Sequence, residues 1–294
     1  MRRNQLDSLA IGLMVLCCAA WALQQILIKA AMGELAPIWQ ASLRFAGSSV
    51  LLLIWCRIRQ VRLLARDSSL LPGLLAGLLF SLEFICIYLG MRDTSAARLT
   101  LFLYCAPFVL ALLLPRFVPQ ERVRPIQWLG LLLAFGALAI AFGEALLAPS
   151  GDRQLIGDLL ALASGIFWGL TTLAIRITVL SHISTEKMLL YQVGTTALLL
   201  PIVSLLIGET WSLPGSALSW ASLGYQILVG SFITLLMWMW MIQRYPATGL
   251  SAFSFLTPLL TMVFSVLWLD EPLTVALVIA LAGVSAGIVL VNRR

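Results

Sequence analysis

Apolar residues run along this chain in long blocks, not in the short alternations of a half-buried strand or the stripe of a surface helix. Ten blocks stand out, at roughly 8–31, 36–56, 70–91, 95–115, 125–147, 155–180, 186–207, 219–242, 248–269 and 273–291. Each is close to the roughly 17–25 residues that carry an α-helix across a bilayer. A backbone in hydrocarbon must satisfy its own hydrogen bonds, which favours helix over open sheet. The pattern predicts an all-α integral membrane protein with ten transmembrane helices joined by short turns. Pro37, Pro72, Pro125 and Pro272 fall near helix starts, where proline is tolerated, whereas Pro107, Pro201 and Pro258 are interior and should kink their helices.

The turns carry a charge signal. Thirteen of the 19 basic residues lie at one set of helix ends: Arg2, Arg3, Arg57, Arg59, Arg62, Arg66, Arg116, Arg122, Arg124, Lys187, Arg244, Arg293 and Arg294. The opposite turns hold only Arg92 and Arg153, and Lys29, Arg44, Arg98 and Arg176 lie inside apolar blocks. Basic residues collect on the cytoplasmic side, so both termini are expected in the cytoplasm.

An internal repeat follows the same frame. Trp21 and Lys29 are eight residues apart, as are Trp168 and Arg176, and the two pairs are offset by 147 residues, half of 294. Pro107 precedes Glu121 by 14 residues and Pro258 precedes Glu271 by 13. The expected units are 1–147, with helices 1–5, and 148–294, with helices 6–10. Five is odd, so the second half enters the membrane upside down relative to the first. Such inverted-topology repeats build transporters with two related conformations.

Composition removes other classes. The chain is 61% hydrophobic and 11% charged, with mean hydropathy +1.00, against about 25% charge in a soluble domain. A soluble enzyme, a disordered chain and a disulfide scaffold are excluded. The net charge of +6 comes with no basic stripe interleaved with aromatics, so no nucleic-acid partner is expected. Cys17, Cys18, Cys56, Cys86 and Cys105 form no CxxC pair and read as apolar packing residues, with neither metal nor disulfide expected. His182 is the only histidine, in a turn, and no P-loop or clustered carboxylate pair is present. Neither enzymatic activity nor a cofactor is expected.

Several stretches carry a family resemblance: CAAWALQQILIKAAM, WQASLRF, LYCAPFVLALLLP followed by ERVRPIQWLGLLLAFGAL, FWGLTTLAIR, and LTPLLTMVFSVLWLDEPLTVALVIALAGVSAGIVL. Together they resemble EamA-type members of the drug/metabolite transporter superfamily across nearly the whole chain. The most specific part is the arrangement Pro107, Glu121, Gly130 and Gly136, then Pro258, Glu271, Gly283 and Gly287. The resemblance implies a ten-helix carrier of the bacterial inner membrane, usually an exporter of amino acids or other small metabolites. One departure is that Arg44 has Tyr191 as its counterpart, so the halves differ chemically at that depth.

Polar residues within the blocks are the candidate machinery, because charge at membrane depth is costly and faces a cavity or a partner. Arg44 and Glu83 each lie about eight residues from the outer ends of their helices, roughly 12 Å deep at 1.5 Å per residue. Two readings stand for them: a structural ion pair, or a substrate or proton site. Gln24 and Gln25 share that layer, and Trp21, Gln24 and Ile28 share a helix face. Trp21, Gln24, Arg44, Glu83, Tyr104 and Trp168 are the expected substrate-binding residues. Glu83, Arg98 and Lys29 are gate or coupling candidates, with snorkelling to headgroups as the other reading of Arg98 and Lys29.

Arg176 is expected to snorkel inward, and Trp220, Trp238, Trp240 and Trp268 to form an aromatic belt. Glu121 and Glu271 suit helix capping as well as transport. Gly73 with Gly77, and Gly283 with Gly287, suit either close packing or a homodimer. The expected function is secondary transport, by alternating access, of a small amphipathic solute. Lipids are partners, and protons are a candidate coupling ion. Export of lipophilic cations or nucleosides, and a passive channel or scramblase, are the alternatives, with a membrane-embedded enzyme the weakest.

Overall fold

The computed structural model describes residues 5–63, 67–147, 152–268 and 275–293. Its helices are α1 (Ser8–Ala31), α2 (Pro37–Ile58), α3 (Leu70–Gly90), α4 (Ala96–Leu103), α5 (Ala106–Phe117), α6 (Pro125–Ala141) and α7 (Gly143–Leu147). They continue as α8 (Gln154–Ile177), α9 (Thr185–Leu206), α10 (Ala217–Tyr225), α11 (Thr234–Arg244), α12 (Ala247–Phe253), α13 (Leu256–Trp268) and α14 (Val275–Asn292). A 3-10 turn covers Pro119–Glu121, a second covers Val179–His182, and a π-helical stretch, Gln226–Ile233, joins α10 to α11.

Local chemistry explains the boundaries. The Asp7 carboxylate accepts the Ala10 N–H at 2.9 Å and caps α1. Ser95, Ser184 and Ser216 cap α4, α9 and α10 in the same way. Pro37 and Pro125 are the first residues of their helices. Pro107 lacks an N–H and collides with the carbonyl four residues back, and the chain breaks at Tyr104–Cys105 between α4 and α5. Pro258 has the same effect at Ser254–Phe255 between α12 and α13. By contrast, α9 runs through Pro201 as one helix.

Among the described residues nine helices are long and apolar enough to cross a membrane, counting α4 with α5, α10 with α11 and the leading part of α12–α13 as single spans. The expected fifth span is shorter than the sequence pattern implies: α6 has 17 residues, and the apolar run continues into the separate α7. No described residue is in a strand.

The burial pattern is that of a protein dissolved in lipid. Leu71, Leu198 and Leu206 are each more than 70% exposed, while Gln40, Arg44, Ser48, Glu83 and Gln192 are buried. Inside the bundle α2 packs along α9, α3 along α8 and α9, α6 along α14, and α1 against α10 and α13. The glycine pairs are consumed within the chain. A Cβ on Gly73 would stand 2.4 Å from the Tyr191 ring, and one on Gly77 at 2.4 Å from the Tyr191 carbonyl. A Cβ on Gly287 would stand 2.6 Å from the Gly130 carbonyl.

Candidate functional site

The centre of the candidate site lies between α2 and α3. Arg44 is 2% exposed and Glu83 7%. The guanidinium carbon of Arg44 sits 4.3 Å from the Phe45 ring centroid and 5.0 Å from that of Phe84, a cation–π clamp. Phe80 and Phe45 close edge-on around Phe84 at 5.0 and 4.8 Å. Arg44 and Glu83 are within electrostatic reach of each other, yet they form no ion pair at 4 Å or closer. The ion pairs among the described residues lie elsewhere. Arg44 Nε and Nη2 and Glu83 Oε2 are buried without a hydrogen-bond partner in the protein. The structural ion-pair reading is therefore not realised in this state. Buried polar groups without partners are costly for a fold to hold, and each calls for an explanation.

Three glutamines are also buried in the bundle with unpartnered amide atoms. Gln40, one turn before Arg44 on the same face of α2, has both amide atoms buried and unpartnered. Gln192 on α9 gives its amide N–H to the Met239 sulfur at 3.4 Å and leaves Oε1 unpartnered. Gln226 reaches Ser222 Oγ at 3.0 Å, and its Oε1 is also unpartnered. The reading of single charges missed these three. Their signal was a glutamine inside an apolar block.

Trp21 and Gln24 form a second station against the π-helical stretch. Trp21 Nε1–H donates to Thr234 Oγ1 at 2.9 Å, and Thr234 donates in turn to the Gly230 carbonyl at 2.8 Å. A Cβ on Gly230 would fall 1.6 Å from Gln24 Oε1, so the glycine makes room for that amide. π-Helical turns in longer helices recur at functional sites. Tyr104 and Trp168 form a third station, ring centroids 5.7 Å apart, with Phe255 at 5.6 Å from Tyr104. Tyr104 and Phe255 are each three residues before the proline that breaks their helix.

Other candidates sit apart from these stations. Arg98 forks onto Asp158 of α8, with Nε 3.0 Å from Oδ1 and Nη2 2.5 Å from Oδ2, and donates Nη1–H to the Leu146 carbonyl at 2.8 Å. Thr94 Oγ1 also donates to Asp158, at 2.7 Å. Free snorkelling of Arg98 is thereby replaced by a tie between α4 and α8, and Asp158 joins the set. Lys29 is exposed and makes no ion pair with a described residue.

Two expectations are corrected. Arg176 does not snorkel: its side chain is 2% exposed and bound to Glu121. Trp238 is no belt residue, because it is 4% exposed and packs edge-on against Trp21 at 5.9 Å. Trp220, 52% exposed, fits the belt. Glu121 does cap a helix, but a distant one, since Oε2 accepts the Ala247 N–H of α12 at 3.0 Å. Glu271, Pro272, the side chain of Trp268, and Arg2, Arg3, Arg66 and Arg294 lie outside the described residues.

Comparison with known proteins follows this architecture. The profile of the EamA-like transporter family matches residues 8–143 and again 155–293. Two similar proteins of Bacillus subtilis (strain 168) are the uncharacterized transporters YoaV and YvbV. YoaV is 21% identical over 269 residues, 91% of each chain. YvbV is 25% identical over 279 residues, 93% of this chain and 88% of its own. An uncharacterized transporter of Archaeoglobus fulgidus is 23% identical over 88% of this chain and 89% of its own. A solved crystal structure superposes with a TM-score of 0.84 over 97% of this chain and 96% of that one, at 20% identity, which supports the fold. With two family matches spanning most of its length, and a bundle of apolar helices around a polar interior, the chain is a multi-pass membrane transporter and belongs to the EamA-like transporter family.

Proposed function

We propose that the protein is a secondary transporter that exports small amphipathic metabolites, amino acids being the type case, across the bacterial inner membrane by alternating access. The observation that carries this reading is one basic and one acidic side chain, Arg44 and Glu83, buried in the bundle with donor and acceptor atoms unpartnered. A zwitterion would satisfy both at once. Its carboxylate would meet the Arg44 fork, which suits carboxylate geometry, and its ammonium would meet Glu83. Gln24 and Trp21 would orient the backbone of such a solute, and Tyr104 and Trp168 would offer apolar faces to its side chain.

In this reading residues 1–147 and 148–294 are inverted halves of five crossings each, with α6 as the fifth crossing, and both termini are cytoplasmic. Pairing of counterpart helices (α2 with α9, and α6 with α14) and the matched breaks before Pro107 and Pro258 support that division. Arg98 and Lys29 are gate candidates, and Glu83 is the candidate proton carrier for coupling.

The test is saturable uptake of a labelled amino acid into proteoliposomes. Arg44→Ala and Glu83→Ala are each expected to lower it about tenfold or more, the loss of one charge-assisted contact of roughly 1.5–3 kcal/mol. Normal transport by both variants would remove the zwitterion site. A lipophilic cation that needs Glu83 and not Arg44 would replace the substrate class. Trans-stimulation is expected of a carrier and absent from a channel, and a flux that follows an imposed pH gradient is expected of proton coupling.

A further inference from the structure

Arg176, at the end of α8, and Glu121, in the turn after α5, join four elements through one buried contact. Arg176 Nε–H donates to Glu121 Oε1 at 2.6 Å, and Nη2 lies 2.5 Å from the same oxygen. Arg176 Nη1–H donates to the Ile242 carbonyl at the end of α11 at 2.5 Å. The other Glu121 oxygen holds the Ala247 N–H at the start of α12. The two side chains are 2% and 10% exposed. In the proposed division Glu121 belongs to the first half, while Arg176, Ile242 and Ala247 belong to the second. A buried pair of this kind adds little net stability compared with apolar packing, and its best-attested use is in registry and switching.

The repeat supplies an independent observation. The residue 147 positions before Arg176 is Lys29, also cationic and also near the end of its helix. Lys29 is exposed and pairs with no described carboxylate. Counterpart cations are thus in opposite conditions, one locked between the halves and one free. Transporters built on inverted repeats exchange the conformations of their two halves during the cycle.

We infer that the Arg176–Glu121 contact is a latch that closes the arginine-rich end of the bundle in this state and must open for the other state to form. Arg176 and Glu121 are gating residues that never touch the solute. The inference rests on the alternating-access reading above and not on the identity of the substrate.

The test reads accessibility, so it separates from the transport assay on Arg44 and Glu83. In the full chain, with the five native cysteines replaced by Ala or Ser, Thr248→Cys places a thiol beside the Ala247 N–H. Thr248 is 6% exposed and its hydroxyl has no partner. A membrane-impermeant sulfonated maleimide is applied to each side of sealed vesicles in turn. With the latch intact, labelling from the arginine-rich side is slow. Glu121→Gln and Arg176→Gln are each expected to speed it about fivefold or more, the low end of a coupling of 1–3 kcal/mol. Arg176→Lys, which keeps the charge and loses the fork, is expected to give an intermediate rate and stands in if either neutral variant fails to fold. Gln243→Ala, which removes a tie to the Ile183 carbonyl within the second half, is expected to leave that rate unchanged. Parental labelling rates in all Arg176 and Glu121 variants would overturn the latch. Equal acceleration by Gln243→Ala would overturn it too, because general loosening would then explain the result.

Discussion

Arg44 keeps its guanidinium between the Phe45 and Phe84 rings instead of against the nearest carboxylate. That choice separates positioning from pairing: the rings hold the fork in place, and Nε and Nη2 have no hydrogen-bond partner in the protein. Arg44→Lys should therefore behave as a loss and not as a conservative change, since an ammonium neither stacks nor forks. The expected result is transport closer to Arg44→Ala than to the parent, measured as the initial rate in proteoliposomes. Trp21→Phe tests the second station. It keeps an aromatic ring beside Trp238 and removes the donor to Thr234, with an expected loss of about 1 kcal/mol in unfolding free energy. At this scale the sequence revealed which residues were out of place in hydrocarbon, because a charge in an apolar block is conspicuous. It could not reveal partners. Counting residues from a helix end gives height but not the direction a side chain faces across the bundle, so Arg176 read as a snorkelling cation and Trp238 as a rim aromatic. Asp158 was overlooked because one carboxylate in the second turn of a helix, close to its end, has an ordinary explanation.

The helices are set against one another by small residues and by ties between their ends. Gly130 and Gly287 bring α6 and α14 together backbone to backbone. Because the obstacle is a carbonyl and not a movable side chain, Gly287→Ala is expected to cost about 1–3 kcal/mol, read as a lowered melting temperature in detergent. At the loop before α3, Asp67 receives the Lys187 ammonium at 2.9 Å and hydrogen bonds from Ser69. The Ser69 hydroxyl first, then the Lys187 ammonium, lowers its pKa from 3.8 to about 2. A carboxylate with a depressed pKa stabilises the fold above its unfolded value and loses that contribution as pH falls through the folded one. Asp67→Asn should melt below the parent at neutral pH, and the gap should close between pH 3.8 and about 2. A gap that held constant through that window would show that Asp67 is not acting as the anion. Among the elements, the breaks before Pro107 and Pro258 were legible, since a missing N–H has local consequences. The π-helical stretch Gln226–Ile233 was not. It contains no proline, and what borders it is tertiary: Gly47 lies against Ile227, the Ser48 hydroxyl donates to the Ile227 carbonyl at 3.0 Å, and Gln24 presses on Gly230.

Taken as one body, the protein turns the usual burial rule outward, with leucines facing the lipid side and glutamines, an arginine and a glutamate inside. Its class was legible because block length and hydropathy depend on the bilayer and not on details of packing. The crossing count was less so, because α6 stops at Ala141 while the apolar run continues to residue 147. The two family matches start 147 residues apart, the spacing that also separates Trp21 from Trp168 and Lys29 from Arg176. The account predicts a cycle in which the polar centre faces one side and then the other, while the Arg176–Glu121 contact forms and breaks. Its central claim is that Arg44 and Glu83 are held apart for a solute that carries both charges. Ligand-induced thermal shift tests this most directly, since a ligand bound only to the folded protein at a hundred times its Kd adds about 2.7 kcal/mol. Purified parent, Arg44→Gln and Glu83→Gln are to be melted with a panel of zwitterionic amino acids, their amides and their N-acetyl derivatives. The predicted result is that zwitterions raise the melting temperature of the parent, that the amide or N-acetyl form does less, and that each variant loses the zwitterion response. Equal zwitterion shifts in the parent and both variants would contradict it.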